Sequence, residues 1–277
     1  MVDIRKLSHE DVLKLLPDRD DYAYKGDFGR VLLLCGSRGY TGAAYLAAMG
    51  ALRCGSGLVY LGVPESIYTI EAVKLNEPVV FPLPDRNGML SITAIGEILE
   101  KLSGMDAVLI GCGLGQSEDT LAVVQAVLTH ARVPVVVDAD GINLLGQHKD
   151  TLRGRTAPTV LTPHAGEYRR FAAEADPEEL ARELGCILLM KGHRTRILDG
   201  KTCYINTTGN PGMAVGGCGD LLSGMIVSLI GQGIAPLEAA AMAAWLHGAA
   251  GDLCAEKLGQ YAMLPTDMLE VLPRLLK

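Results

Sequence analysis

The chain has 277 residues, of which 49% are hydrophobic, and its formal net charge is -7 at pH 7. This length suits one large α/β domain or two small ones, and it is ample for a sizeable core. The acidic balance argues against nucleic acid as a partner, because binding to a phosphate backbone requires a basic surface.

The seven cysteines include no C-x-x-C pair, so we expect reduced, buried thiols and no zinc site. The N-terminal segment is charged and has helical character, and it lacks the apolar core of a signal peptide. No stretch offers the roughly 18 uncharged apolar residues that a membrane span needs. We therefore expect a cytoplasmic protein that does not interact with a membrane.

Six short apolar runs predict the strands of a sheet. Their apolar residues are continuous rather than alternating, which is typical of strands covered on both faces, as in a parallel sheet. Helical stretches such as 41–55 and 119–131 separate most of the runs. This βαβ rhythm predicts a three-layer αβα sandwich with a mostly parallel central sheet. The predicted strands are 30–36, 57–63, 106–111, 133–140, 158–163 and 186–192.

The rhythm changes towards the C-terminus. Residues 194–206 predict a β-hairpin that turns at Asp199-Gly200. Two long helices are predicted next, from about Asp220 to Gly231 and from Pro236 to about Lys257. We find no linker, repeat or low-complexity tract, so we expect a single domain over residues 1–277.

Polar and glycine-rich loops follow the predicted strands one after another. Ligands of open parallel sheets bind outside the carboxyl ends of the strands, so these loops predict an active site at that edge. Asp138 and Asp140 are two residues apart at a strand end, and at most one of them is expected to face the ligand directly. His164 lies in such a loop, with the Glu167 carboxylate three residues on. Lys191, at another strand end, is a candidate contact for a phosphate or a nucleotide.

The strongest single signal is Gly216-Gly217-Cys218-Gly219-Asp220, which opens an apolar helix. Free backbone N–H groups at a helix N-terminus bind phosphate oxygens, and glycines let the backbone come close. The P-loop pattern with its lysine is absent. Asp220 could be a simple helix cap. Beside a bound phosphate it could instead accept a proton from an attacking hydroxyl, which would then take the phosphoryl group.

With these motifs in place, the chain resembles the nucleotide-dependent NAD(P)H-hydrate dehydratases, which are repair enzymes with a ribokinase-like fold. The resemblance extends from about Lys25 to the C-terminus, and six motifs agree in order and spacing. They are KGDFGRVLLLCGS with GAAYLAAMGALRCGSGLV, GCGLGQ, DADGINLL, LTPHAGE, LMKGHRT and NTTGNPGMAVGGCGDLLSGMI. The long glycine block is specific to this family, whereas its G-x-G-D core is shared with kinases of vitamins and sugars.

The resemblance implies a substrate, a co-substrate and a metal. The substrate is NADH or NADPH that has added water across a nicotinamide double bond. ADP, or ATP in other relatives, phosphorylates the resulting hydroxyl, and phosphate then leaves by elimination. Mg²⁺ is the implied cofactor. The choices between ADP and ATP, and between NADH and NADPH hydrates, stay open at this point.

The resemblance also assigns roles to individual residues. Asp220 would be the general base, and Gly219 with the preceding backbone N–H groups would hold the transferred phosphate. Glu167 would help to organise magnesium through water. The nucleotide would be bound by Lys191, Gly192, His193, Arg194, Thr195 and Gly219. The hydrated dinucleotide would contact Ala43, Gly113, His164 and Asp220. The phosphate loop would comprise Gly216, Gly217, Cys218 and Gly219.

The chain departs from the family at Cys218, where threonine is usual. Many relatives also carry an N-terminal epimerase domain, which the leader 1–24 cannot supply, so we expect a separate NAD(P)H-hydrate epimerase as a functional partner. The alanine-rich helices and the resemblance suggest a homotetramer. Two other functions stay open: a small-molecule kinase of the ribokinase-like fold, and a nucleotide sensor without catalytic activity.

Overall fold

The apolar runs form the strands of one large sheet in the computed structural model, which describes residues 2–277. All six predicted strands are present; five are shorter than their apolar runs, and the one predicted at 57–63 keeps its length but is shifted by one residue to Leu58–Pro64. The strands are β1 (Asp3–Arg5), β2 (Arg30–Leu34), β3 (Leu58–Pro64), β4 (Val79–Leu83), β5 (Asp85–Arg86), β6 (Met89–Leu90), β7 (Ala107–Ile110), β8 (Val135–Val137), β9 (Thr159–Leu161), β10 (Ile187–Met190), β11 (Arg196–Leu198) and β12 (Thr202–Ile205).

The main sheet has ten strands in the order β1-β12-β11-β10-β9-β8-β7-β2-β3-β4, while β5 and β6 form a small separate hairpin. The seven strands from β10 to β4 in this order pair in parallel. β11 runs antiparallel to both of its neighbours, so β11 and β12 form the predicted hairpin at 194–206.

Both faces of the sheet are buried, which explains the continuous apolar runs. Successive residues of a strand point to opposite faces. In β2, Val31 and Leu33 therefore join one core, and Leu32 and Leu34 join the other. These two cores confirm the three-layer αβα sandwich.

Helices cover each face of the sheet. One layer contains α1, α2, α3, α9, α10 and α11, and the other contains α4, α5, α6, α7 and α8. The helices are α1 (His9–Leu15), α2 (Thr41–Arg53), α3 (Glu65–Lys74), α4 (Ile95–Leu102), α5 (Glu118–His130), α6 (Asp140–Leu145), α7 (Ala165–Ala172), α8 (Pro177–Leu184), α9 (Cys218–Gly231), α10 (Pro236–Leu258) and α11 (Pro265–Val271). Within residues 2–277, no helix combines the length and apolarity that crossing a membrane would need.

The N-terminal segment differs from the helical prediction at its start. Residues Asp3–Arg5 form β1, which pairs in parallel with β12, and the helix begins only at His9. The strand consists of three exposed residues, so it has no apolar pattern that could predict it.

The sheet has a topological switch point between β2 and β7. The chain runs from β2 outward to β3 and β4, and then returns to β7 on the other side of β2. The loops after β2 and β7 meet there, where the Gly36 amide donates to the Cys112 carbonyl at 2.8 Å. Ligands of open α/β sheets bind at such points, so the fold itself favours the predicted edge.

Candidate active site

A cavity of about 990 Å³ lies at the carboxyl edge of the sheet. Residues that directly follow β8, β9 and β10 line one side, namely Asp138, His164 and Lys191. The chain between β12 and α9, the start of α9 and one face of α10 line the rest. The cavity gathers most of the residues predicted from sequence: His164, Lys191, Gly192, His193, Arg194, Thr195, Gly216, Gly217, Cys218, Gly219 and Asp220.

The phosphate loop, residues 216–219, is built at the N-terminus of the 14-residue helix α9. Gly217 is the residue before the helix and has a φ of 100°, which favours glycine. A Cβ at Gly217 would also collide with Leu46. The first N–H groups of α9 have no partner within the helix, so they are available to an anion.

Lys191 supplies the positive charge beside this helix start. A Cβ built at Gly219 would lie 3.4 Å from the Lys191 Nζ, so the ammonium is next to the phosphate loop. The lysine that a P-loop carries in its own sequence is here contributed by the strand end after β10.

A buried ion pair fixes Lys191. Its Nζ lies 2.7 Å from Asp138 Oδ1, and the Asp138 side chain is 1% exposed. Asp138 also accepts from Thr162 at 2.7 Å and from Ser223 at 2.9 Å. Burial alone would raise the pKa of Asp138, but the charge and hydrogen bond of Lys191 outweigh it and hold that pKa below its ordinary value. The pair is therefore charged at neutral pH.

Asp220 lies in the first turn of α9, and the electrostatic environment of its carboxylate differs from that of Asp138. Burial, together with the charge of Asp138, raises the pKa of Asp220 to about 6. A carboxylate with such a pKa is ionised at pH 7 and yet basic enough to accept a proton. Its place beside the helix start puts it within reach of a group that attacks a bound phosphate.

Asp138, Asp220 and Cys112 form the one cluster of potential metal ligands found among the described residues, with their ligand atoms within 4.8 Å of one another. The Asp138 carboxylate is already saturated by Lys191, Thr162, Ser223 and the Cys112 thiol at 3.6 Å. A thiol is also a poor ligand for a hard cation. This cluster does not fit Mg²⁺, and it acts as a hydrogen-bonded group around Asp220.

His164 and Glu167 form a capping box at the start of α7. The His164 Nδ1 accepts from the Gly166 amide at 2.9 Å, and Glu167 Oε2 accepts from the His164 amide at 2.9 Å. Glu167 Oε2 is also 3.8 Å from Lys191 Nζ. The start of α7 therefore holds the His164 ring in the position in which it lines the cavity.

The loop 191–195 is closed by one of its own side chains. The Thr195 hydroxyl donates to the Gly192 carbonyl at 2.9 Å, so it shapes the loop. Arg194 has a φ of 55°, a left-handed conformation that is uncommon for a non-glycine residue. Strain of this kind is concentrated at functional sites.

Ala43 and Gly113 lie outside the residues that line the cavity, at the switch point. They face each other closely, since a Cβ at Gly113 would lie 2.8 Å from the Ala43 Cβ. Cys112, the neighbour of Gly113, reaches Asp220 through the cluster described above. The two predicted substrate contacts therefore lie outside the cavity and are linked to Asp220 through Cys112.

Asp140 does not line the cavity. Its carboxylate accepts from the Gly115 amide at 2.9 Å and from the Gln116 side chain at 2.8 Å, so it braces the loop after β7. Of the two aspartates only Asp138 lines the cavity, because it directly follows β8 whereas Asp140 is already the first residue of α6.

The cavity also has a wall that the sequence motifs did not identify. His247 on α10 lines it, is 7% exposed, and has an Nε2 without a hydrogen-bond partner within residues 2–277. Burial lowers the pKa of His247 to about 4, so the ring is neutral at pH 7. Ala244 and Gly248 line the cavity on the same helix face. The only sequence signal was a polar residue within an otherwise alanine- and glycine-rich helix.

Comparison with known proteins identifies a family. A family model described as NAD(P)H-hydrate dehydratase matches residues 31–274. A bifunctional NAD(P)H-hydrate repair enzyme of Moorella thermoacetica is 45% identical over 275 residues, which is 95% of this chain and 52% of the relative. The chain thus spans about half the length of that curated relative.

Solved structures give a match along the whole chain. An ADP/ATP-dependent NAD(P)H-hydrate dehydratase from Bacillus subtilis, co-crystallised with ATP and Mg²⁺, has a TM-score of 0.81 at 32% identity and covers 97% of this chain and 96% of its own. A ribokinase-like superfamily protein from Enterococcus faecalis has a TM-score of 0.85 at 28% identity, with 99% and 95% covered. The ribokinase-like fold is confirmed.

Proposed function

Because this chain belongs to the NAD(P)H-hydrate dehydratase family, we propose that it restores the S-epimer of hydrated NADH or NADPH to the intact dihydronicotinamide with ADP as co-substrate. ADP becomes AMP, and its β-phosphoryl group leaves as inorganic phosphate. The reaction class is a carbon–oxygen lyase that uses a kinase-type first step.

One observation carries the proposal: a carboxylate of raised pKa lies in the first turn of a helix whose free N–H groups face a cavity. Asp220, with a pKa raised to about 6, would take the proton of the ring hydroxyl as that oxygen attacks the phosphoryl group. The N–H groups of residues 216–219 and the Lys191 ammonium would stabilise the charge on the transferred phosphoryl group. Their mutual distance, 3.4 Å from Lys191 to the Cβ position of Gly219, supports this division of roles.

The second step follows from the first. Hydroxide is a poor leaving group, whereas phosphate leaves readily with the electron pair of the carbon–oxygen bond. A proton is lost from the neighbouring ring carbon, and the double bond of the dihydronicotinamide re-forms. The physical reason for consuming a nucleotide in a dehydration is thus the exchange of one leaving group for another.

The substrate and the nucleotide would meet at Asp220. Residues 191–195 and Gly219 line the cavity and would bind the nucleotide. Ala43 and Gly113 meet at the switch point and, with His164 and Asp220, would contact the hydrated dinucleotide. In this arrangement the ring hydroxyl would lie between Asp220 and the transferred phosphoryl group.

We propose Mg²⁺ as the cofactor, brought in with the nucleotide phosphates. Mg²⁺ keeps several waters and needs only one or two carboxylates besides phosphate oxygens. Glu167 is proposed to contact the ion only through water, because its carboxylate does not line the cavity itself and lies 3.8 Å from Lys191, which does. When bound, the ion would neutralise charge on the nucleotide phosphates.

Three further features belong to the proposal. The seven free, buried cysteines support a reducing, cytoplasmic location. The S-epimer requirement makes an NAD(P)H-hydrate epimerase a functional partner. A homotetramer is proposed on the family resemblance alone, because most alanines of α2 and α10 are buried within the protomer.

The test is to mix the protein, Mg²⁺ and ADP or ATP with each purified epimer of hydrated NADH and of hydrated NADPH. We expect the absorbance of the reduced nicotinamide to recover with the S-epimer and ADP. Asp220→Asn should abolish this recovery while ADP binding measured by calorimetry is retained. If the absorbance recovers neither with ADP nor with ATP, the proposal is rejected. A stable phosphorylated product without recovery would instead identify a small-molecule kinase.

A further inference from the structure

The cavity wall opposite Lys191 is formed by an irregular stretch of chain. We call residues 206–213 the wall segment. It joins β12 to the phosphate loop, and its cavity-lining members are Asn206, Thr208, Gly209, Asn210, Pro211 and Met213. Irregular backbone of this kind has few hydrogen bonds of its own, so something else must fix its path.

One face of α10 fixes that path. Asn206 Nδ2 donates to the Ala244 carbonyl at 3.1 Å, and the Thr208 hydroxyl donates to the Trp245 carbonyl at 2.8 Å. One and two turns further along the helix, Gly248 and Gly251 leave room for the wall segment, since a Cβ at either would collide with Thr208 or Met213.

At the end of this helix face, the wall segment is held by the Asp252 carboxylate rather than by backbone carbonyls of α10. Asp252 Oδ2 accepts from the Gly209 amide at 2.9 Å, and Asp252 Oδ1 accepts from Asn210 Nδ2 at 2.9 Å. Both oxygens are engaged, and no lysine or arginine pairs with Asp252 within residues 2–277. Its charge is thus satisfied by the wall segment alone.

The contact continues towards the phosphate loop. Asn210 Oδ1 accepts from the Gly212 amide at 3.0 Å and starts the short turn Pro211–Met213. After that turn the chain reaches Val215, whose carbonyl accepts from the Cys218 amide at 3.4 Å at the start of α9. Asp252 does not line the cavity, so any effect on a ligand passes through Asn210.

We propose that Asp252 is a positioning residue for nucleotide binding: by holding Gly209 and Asn210 on α10, its carboxylate fixes the cavity wall that leads into the phosphate loop. The inference rests on the proposed function in one respect, because it takes an adenine nucleotide as the ligand of this cavity. Charge-assisted hydrogen bonds are the stronger ones, so a carboxylate suits a backbone that must be held at a fixed distance from the phosphate loop.

The chain offers an exchange that tests the hydrogen bonds themselves. In Asp252→Asn, one of the two donors faces an amide NH₂ instead of an oxygen. Combining it with Asn210→Asp restores the pattern, because residue 252 then donates to residue 210. The remaining oxygens still accept from the Gly209 and Gly212 amides. The matched control is Asp176→Asn, which alters a carboxylate that caps α8 away from the cavity.

The readouts are ADP binding by calorimetry, steady-state KM and kcat, and the unfolding temperature. We expect Asp252→Asn to raise the Kd and KM for ADP roughly tenfold, with a smaller change in kcat. The double variant should recover to within about threefold of the wild type. Asp176→Asn should leave ADP binding unchanged. A merely structural role would lower the unfolding temperature without separating KM from kcat.

Unchanged ADP binding in folded Asp252→Asn would overturn the inference, and so would a double variant as impaired as the single one. If Asp252→Asn does not fold, Asn210→Ala removes the same bond from the other side, and normal ADP binding by that variant also overturns it. A wild-type protein that binds ADP without dehydratase activity would reject the proposed function, while the calorimetric comparison still decides the role of Asp252. Binding of neither ADP nor ATP would contradict both.

Discussion

At the level of single residues, Asp220 illustrates how burying the proposed catalytic base can cost stability. Its pKa rises from 3.8 to about 6 on folding, mainly because it is buried. The folded state therefore holds this proton more tightly than the unfolded chain does. The stabilising contribution is complete below pH 4 and is lost as pH rises through 6. At pH 7 the ionised carboxylate destabilises the fold by about 3 kcal/mol.

Asp220→Asn should consequently stabilise the protein, and only above the acid range. We expect the unfolding temperature of the variant to exceed that of the wild type by several degrees at pH 7, and the two to converge near pH 4. Thermal unfolding followed by circular dichroism across this range measures the effect. A constant difference at all pH values would mean that the titration of Asp220 is not its source.

Cys218 is the residue at which the phosphate loop departs from the family. Burial raises the pKa of its thiol to about 11, so it is a neutral, weak donor at the helix start. A threonine hydroxyl is a stronger donor to phosphate oxygens. Cys218→Thr should therefore keep kcat/KM for ADP or raise it, by up to about fivefold, since one net hydrogen bond is worth about 1 kcal/mol.

The matched variant is Cys218→Ala, which removes the side-chain donor and keeps the backbone amide. We expect it to retain most of the wild-type kcat/KM, because the amide makes the principal contact. A large loss on Cys218→Thr would show that the loop is adapted to the thiol.

At the level of elements, the position of α9 depends on its crossing with α2. Gly50 and Gly224 lie at the contact, where a Cβ on Gly50 would be 2.6 Å from the Leu221 carbonyl oxygen. A Cβ on Gly224 would collide with the Ala47 carbonyl. The two backbones touch, so neither helix can shift without moving the phosphate loop at the N-terminus of α9.

Gly224→Ala should accordingly impair both stability and turnover. We expect a loss of about 1–3 kcal/mol in the free energy of unfolding, because a backbone carbonyl cannot move aside as a side chain can. Urea unfolding and the dehydratase assay measure the two effects. Gly96→Ala in α4 is the control, since a Cβ there meets no atom within 4 Å. It should be neutral or slightly stabilising.

The same scale explains which elements could be predicted from sequence. Buried strands such as β2 and β7 appear as continuous apolar runs, and α9 and α10 begin where glycine and proline signals placed them. β4 is an edge strand with the apolar sequence VVFPL, but Pro82 inside it argues against a strand, so the run was not predicted as one. β1 is exposed throughout. Strands that are defined by pairing rather than by burial are hidden from a hydrophobicity argument.

The candidate site likewise contains parts that the sequence could predict and parts that it could not. Residues 191–195 and 216–220 carry local motifs, because each forms its part of the cavity from consecutive residues. The ion pair of Lys191 with Asp138 and the contact of Asp252 with Asn210 join residues 53 and 42 positions apart. Such pairs depend on the packing of whole elements. Strand spacing does not explain why only Asp138 of the two aspartates lines the cavity, because residues two apart in a strand share a face and Asp140 belongs to α6.

For the whole molecule, we propose that residues 1–277 fold as one domain, because a single sheet carries the cores on both of its faces. Leu109 and Ile110 are neighbours on β7 and are fully buried on opposite faces. Leu109→Ala and Ile110→Ala should each lower the free energy of unfolding by about 2–5 kcal/mol. Both variants should shift the same transition.

The measurement compares two probes during denaturant unfolding. The first probe is the fluorescence of Trp245 on α10, which stacks on His9 and reports on one helical layer. The second is far-ultraviolet circular dichroism, which reports on all elements. Coincident transitions in the wild type and in both variants are expected for one cooperative unit. If Ile110→Ala shifted only the dichroism signal, the two layers would unfold separately and the chain would hold two domains.

The pairing of β1 with β12 has a consequence for synthesis of the protein. Arg5 and Tyr204 are register partners separated by 199 positions. On a ribosome that adds about 5–20 residues per second, β1 emerges roughly 10–40 s before the strand it pairs with. During that interval its backbone groups have no partner. The N-terminal strand can therefore join only late, so a nascent chain stalled before β12 would present an unpaired strand to chaperones.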